Sequence, residues 1–314
     1  MTSSSSSAQS SPAARFLVIP HLAPDETLMG YLLRLAEDNG YAGIKEIEAA
    51  LHWTIEPTEG RVSSRCCPDL SGLAQATGYD EARFQRICYQ DDGQWVTLGV
   101  ARIPVRYIKF KYPKFCPACL AESPHHRWYW DLAHVTVCLK HQLLLMDRCP
   151  MCRKRLYWDR TSLTICACGC DWTQMERQTV TEANELLVSQ QVMAFCGWGQ
   201  QQKDGSFLTN LNFEAFLDTT FFAASLYLLA QKKWTLALKK QNHVFHAGLT
   251  EACTVLANPP QSFFAFLDKL YLDEKKRILP MCKDYLGHSA EPLSAWVSEY
   301  VEGFPNRRQL RIAF

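Results

Sequence analysis

Between residues 116 and 170 the chain places cysteine and histidine at short, repeated spacings: Cys116-x2-Cys119, Cys138-x2-His141, Cys149-x2-Cys152, and the cluster Cys166-Ala-Cys168-Gly-Cys170. Zinc binds four nitrogen or sulfur donors as a tetrahedron, usually supplied by two such pairs on separate turns. Pairing in sequence order gives two sites, one from Cys116, Cys119, Cys138 and His141, the other from Cys149, Cys152, Cys166 and Cys168. The loops inside these sites hold 18 and 13 residues, which keeps each site local. A cross-braced arrangement, in which Cys138, His141, Cys149 and Cys152 share one ion, remains open on spacing alone. So does Cys170 as a substitute for a member of the last pair. Four protein donors per ion leave no position for substrate, so the pattern predicts two structural zinc ions rather than a catalytic metal. A hydrolase would need an open position and a base, for which only His125, His126 or Asp131 lie near.

These donors need elements to hold them. The mainly α pattern divides into a Ser-rich arm at 1–15, an N-terminal helical region at 16–93, a tandem zinc-finger region at 94–175 with small zinc-ribbon β elements, and a C-terminal helical region at 181–314. Asp25 is placed to cap a first helix with Leu28, Tyr31, Leu32 and Leu35 on one face, and Gly40 is placed to end it. A second helix is expected over 43–51. Ala74-x3-Gly78-x5-Phe84 has the small residue, turn glycine and apolar anchor of a helix-turn-helix, capped by Asp80. Asp80 and Glu81 would repel phosphate at the end of the helix that normally reads DNA. The stretch "QLLLMDR" at 142–148 is too short for a free linker, so Leu143, Leu144, Leu145 and Met146 are expected to bury a seam between the two zinc units. Beyond 181, helices are expected in "TEANELLVSQQVMAF", "NFEAFLDTTFFAASLYLLAQKKW", "PPQSFFAFLDKLYLDEKKRILPMCKDYL" and "PLSAWVSEYVE", with a basic tail "FPNRRQLRIAF".

Charge narrows the partners. The net charge is only +1, but residues 101–160 carry 12 Lys and Arg against 4 Asp and Glu, whereas residues 1–100 carry 7 against 13. A local basic segment suits a polyanion. Within it, Arg102, Arg106, Lys109, Lys111 and Lys114 interleave with Tyr107, Phe110 and Tyr112 along a strand-like stretch, a pattern able to contact a DNA or RNA backbone. The opening residues hold no apolar run of the secretory kind, and the most apolar stretch, 221–230, is too short to span a bilayer. A cytoplasmic protein without membrane association is expected. There, clustered cysteines more often bind metal than form disulfides.

Taken in order, these motifs resemble the TniQ/TnsD family. "PHLAPDETLMGYLLRLAEDNGY" is similar to the family's Pro-x-x-x-Asp/Glu-Glu-Ser/Thr-Leu opening before a "LLRLA" helix. "FCPACLAES", the tryptophans Trp128 and Trp130, "VCLKHQLLLMDRCPMC" and "CACGCDW" resemble its Cys-Pro-x-Cys, Cys-x-x-His, second Cys-Pro-x-Cys and closing Cys-x-Cys-Gly-x-Asp elements. The resemblance covers about residues 17–172. It implies the eight zinc ligands above and a non-enzymatic transposition adaptor in a bacterial cytoplasm. Such a protein links a target-site selector, such as a CRISPR effector complex of the Cascade or Cas12 type, to the AAA+ ATPase TnsC. A TnsD-like protein that reads an attachment site directly is the alternative, and a homodimer is compatible with either.

Overall fold

The computed structural model describes residues 16–53, 70–98, 101–175, 178–201, 205–231, 241–273 and 293–303. The Ser-rich arm, the basic tail and the part of "PPQSFFAFLDKLYLDEKKRILPMCKDYL" after Asp273 lie outside the described residues. Described secondary structure is mainly helical, with two small antiparallel sheets.

Helix α1 (Leu28–Asp38) buries Leu28, Tyr31, Leu32 and Leu35, the predicted stripe. Its cap is Thr27 rather than Asp25: the Thr27 hydroxyl accepts from the Gly30 N–H at 3.1 Å. Asp25 is drawn away by partners a hundred residues distant, His125 Nε2 at 2.7 Å and Arg127 Nε at 3.4 Å. Helix α2 (Ile44–Ala50) follows, with Gly43 before it at φ +151°, a conformation that favours glycine, against the Arg160 carbonyl. Helices α3 (Leu70–Thr77) and α4 (Glu81–Ile87) are joined by a turn in which Gly78 has φ +73°. Asp80 caps α4 through Ala82 N–H, and Phe84 is fully buried as the anchor.

Strands β1 (Gln90–Asp91), β2 (Trp95–Leu98) and β3 (Ala101–Pro104) form an antiparallel meander. Strand character ends at Pro104, earlier than the alternation suggests. The chain then turns through Val105–Tyr107 and runs irregularly to the first cysteine pair. A short helix, α5 (Pro117–Glu122), and the hairpin of β4 (Val137–Cys138) and β5 (Leu143–Leu144) carry the first donor set.

The C-terminal helices are α6 (Ala183–Phe195), α7 (Phe213–Ala230), α8 (Asn242–Val255), α9 (Gln261–Asp273) and α10 (Leu293–Glu302). Helix α8 had no counterpart among the stretches singled out from sequence. It packs closely on α7 where Gly248 faces Ala224, with 3.3 Å left for a β-carbon. The helices do not stand apart. Asn242, at the start of α8, donates through Nδ2 to the carbonyls of Thr136 and Leu145, at 2.8 Å each. Its N–H donates to Asp147 at 3.0 Å. His134 reaches the Leu217 carbonyl of α7, and Asp218 holds Arg106. One continuous apolar core runs from Phe16 to Tyr300.

Candidate metal centres

The first donor set is built by three local rules. Cys116 sits at the start of α5 with Pro117 in the first turn, where a missing N–H is harmless, and Cys119 lies one turn on. Cys138 ends β4 opposite Leu143, and the connecting turn brings His141 back beside it. Gln142, with φ +49°, closes that turn.

Each of the other two short turns is closed in the same way. Arg153 follows Cys152 with φ +59° and donates its N–H to the Cys149 carbonyl at 2.9 Å. Gly169 follows Cys168 with φ +83° and donates to Cys166 at 2.8 Å. Only the last uses glycine, the residue with no penalty in that region.

The structure gathers the donors in sequence order. Cys116, Cys119, Cys138 and His141 form one group, and Cys149, Cys152, Cys166 and Cys168 the other. In a zinc tetrahedron with sulfur at about 2.3 Å and nitrogen at about 2.0 Å, sulfurs stand about 3.8 Å apart and a sulfur–nitrogen edge is about 3.5 Å. Here Cys119 and Cys138 are 3.6 Å apart, and His141 Nδ1 lies 3.5, 3.3 and 3.6 Å from Cys116, Cys119 and Cys138. In the second group Cys149–Cys168 and Cys152–Cys166 are each 3.7 Å. Both sets therefore fit a tetrahedral ion of zinc size, which would cross-link the segments that carry them.

The acid–base chemistry of the first set leads the same way. Hydrogen bonding with Cys116 and Cys119 pushes the Cys138 thiol down to about 2, while hydrogen bonding with Cys116 and Cys138 pushes Cys119 far up. Three thiols crowded together resist ionising together, and a divalent cation would offset the repulsion between their thiolates. The far nitrogen of His141, Nε2, faces Glu122 Oε1 at 2.9 Å, the carboxylate–histidine arrangement that fixes the ring of a metal ligand. Glu122 also pairs with Lys140. Glu122 was not foreseen; its place one helical turn after Cys119 was the available signal.

In the second set, burial raises the Cys149 thiol. Backbone N–H groups of Cys152 and Met151 and the Trp172 indole more than offset this, leaving it at about 6. Cys170 is buried behind Cys149 and outside the fourfold group, and its carbonyl accepts from Cys166 N–H.

None of the three residues weighed as a hydrolytic base stands at a donor set. His126 is fully buried between the Thr27 hydroxyl and the Lys114 carbonyl, at 3.1 Å from each. His125 binds Asp25. Asp131 accepts from the Tyr89 hydroxyl at 2.7 Å, and burial raises its carboxyl to about 8.

The opening motif has a structural explanation. Glu26, buried, is gripped by Arg34 through two bonds of 2.8 and 2.7 Å. Thr27 N–H donates to His126, and Trp128 N–H donates to Asp25. Gly30 leaves a gap where a β-carbon would sit 2.7 Å from that of His126. The motif thus clamps α1 onto the loop inside the first metal unit.

The basic-aromatic stripe does not form one face. Lys114 is fully buried and donates to the carbonyls of Leu132, Ala133 and Val135 at 2.8, 3.4 and 2.6 Å. Lys109 is buried over Phe245. Arg106 is neutralised by Asp218 and Glu214. Arg102 stacks on Trp95 and pairs with Asp92. Lys111 alone of the five stays on the surface without an ion pair among the described residues. The backbone passes through the core after Pro104, which takes alternate cations inward.

The expected seam is more specific than a packed surface. Leu143 and Leu145 are buried, and Met146 exchanges two backbone bonds with Phe115 at 2.8 and 3.0 Å. Asn242 of α8 then pins the same segment from the other side.

Residues 17–145 match the TniQ family, a span that ends just past the first donor set. No curated protein matches the chain. No helix among the described residues is long and apolar enough to cross a membrane.

Proposed function

We propose, from the match of residues 17–145 to the TniQ family of transposition-associated proteins, that the protein is a non-enzymatic adaptor that brings the AAA+ regulator TnsC to a target marked by a separate selector. In this reading the selector is an RNA-guided effector complex, Cascade or Cas12-type, and the protein touches target DNA without reading its sequence. The observation that carries the reading is the TniQ match itself, reinforced by the clamp between the opening motif and the first metal unit.

One further feature supports an adaptor over a direct reader of DNA, and a second supports a non-enzymatic role. The N-terminal end of α4 carries Asp80 and Glu81, and the Asp80 carboxylate is already used in the cap. A groove-reading helix presents basic or amide groups there. The donor sets also offer four protein ligands each, the arrangement of structural rather than catalytic zinc.

The test is capture of purified TnsC on immobilised protein, with and without a candidate effector, alongside competition between duplexes of different sequence at matched salt. Retention of TnsC together with indifference to sequence is the expected result. No retention of TnsC, or strong preference for one duplex, would replace the adaptor with a sequence-specific selector.

A further inference from the structure

The positive surplus of residues 101–160 has to appear somewhere, and the stripe at 102–114 buries or neutralises most of its share. It emerges on the second metal unit. A cleft of about 570 Å³ there is lined by Arg148, Lys154, Arg155 and Arg160 together with Tyr157 and Ile165. A second cleft of about 530 Å³ adjoins it through Arg148 and adds Arg153 and His243.

Two carboxylates also line these clefts, Asp159 the first and Asp147 the second. Asp147 is buried and accepts from Asn242, and Asp159 pairs with Lys45 at 3.1 Å. Among the described residues, Arg148, Arg153 and Lys154 have no ion-pair partner.

The guanidinium groups are held in place by their surroundings. Arg155 lies 3.6 Å from the centre of the Tyr112 ring, which in turn packs edge-on to Tyr157. Arg148 donates to the Arg153 carbonyl at 3.2 Å, and Arg160 donates to Tyr157 and Ser162 at 3.1 Å each. Planar forks fixed in this way match phosphate oxygens and lose little freedom on binding them.

We infer that this band, from Arg160 through Arg155, Lys154 and Arg148 to Arg153, is a docking surface for the sugar-phosphate backbone of duplex DNA, read without regard to sequence. The inference rests on the proposed adaptor role, which places the protein at target DNA. The density of arginine and the lack of free carboxylates favour a phosphodiester over an acidic protein segment.

The experiment uses the full chain and a fluorescein-labelled duplex of mixed sequence, with anisotropy titrations over a range of salt. Each phosphate neutralised contributes about 0.9 to the slope of log affinity against log salt, so five cations predict a slope of about −4.5. The double variant Arg153→Glu/Lys154→Glu, at two exposed positions, is expected to bind at least about tenfold more weakly and to lose about two units of slope. Arg102→Glu/Lys111→Glu, on the stripe at 102–114, is expected to leave both unchanged.

A wild-type slope near zero, equal loss in the two double variants, or tighter binding of a labelled single-stranded RNA or a Glu-rich peptide would overturn the assignment. Zinc content and circular dichroism of each variant guard against misfolding. TnsC capture is read in parallel: capture without duplex binding sinks the band and spares the adaptor, and duplex binding without capture does the reverse.

Discussion

In sequence the two metal units look like equals, each a Cys-Pro-x-Cys pair followed by a second short pair; in the folded chain they are not. The first is embedded. Its three cysteines are buried, α1 is clamped to its inner loop, and α8 pins the segment that leaves it. The second is peripheral, with Cys168 exposed, Cys152 and Cys166 half-buried, and Met151, Tyr157 and Ile165 open to solvent. Two similar donor sets, three cysteines with a histidine and four cysteines, therefore sit in opposite settings: one lies within the core, the other at a surface.

That contrast can be broken most sharply by removing one ligand from each. Cys116→Ser is expected to lose the first zinc and with it the cooperative fold, since metal binding in such units supplies on the order of 10 kcal/mol. Cys149→Ser is expected to lose only the second zinc and to keep most of its helical signal. Metal analysis and far-ultraviolet circular dichroism decide it, and equal unfolding of both variants would erase the distinction.

Gly30→Ala tests the clamp. A β-carbon 2.7 Å from His126 forces α1 off the first unit, at an expected loss of about 2 kcal/mol in denaturant unfolding. Gly169→Ala in the second unit meets no atom within 4 Å and is expected to lose only about 1 kcal/mol, from its φ of +83°.

A third test uses pH. Asp131, beside the first unit, is raised by burial from 3.8 to about 8, so it takes up a proton on folding between those values. Its contribution is complete below the ordinary carboxylate range and is lost as pH rises toward 8. Asp131→Asn should flatten the fall in stability over that interval, measured by urea midpoints. An unchanged profile would show that Asp131 is ionised in the fold.

The smallest effect is expected from Glu122→Gln, which weakens the support of His141. About tenfold weaker retention of one zinc against a chelator is expected, with the other zinc unaffected.

The donor sets could be read from sequence because ligand spacing is local: a turn of three or four residues needs nothing from the rest of the chain. The amphipathic stripe of α1 and the anchor Phe84 were legible for the same reason. What escaped depended on distant partners. Asp25 and Thr27 are both competent caps, and only His125 and Arg127 decide which is free to serve. Lys109 and Lys114 looked like surface cations because their neighbours alternate. Their burial is imposed by Phe245 and by the carbonyls of 132–135. Helix α8 was missed because its buried face mixes Asn242, His246, Gly248 and Cys253 with apolar residues, and their burial follows from packing against α7 and the metal units.

Lys114 has a consequence for how the protein comes together. Its side-chain nitrogen donates to the carbonyls of Leu132, Ala133 and Val135, so the chain supplies an internal tie two residues ahead of Cys116 and three ahead of Cys138. That tie draws the loop leading to Cys138 onto the segment leading to Cys116, so the two halves of the first donor set are braced by a buried side chain as well as by their own ligands.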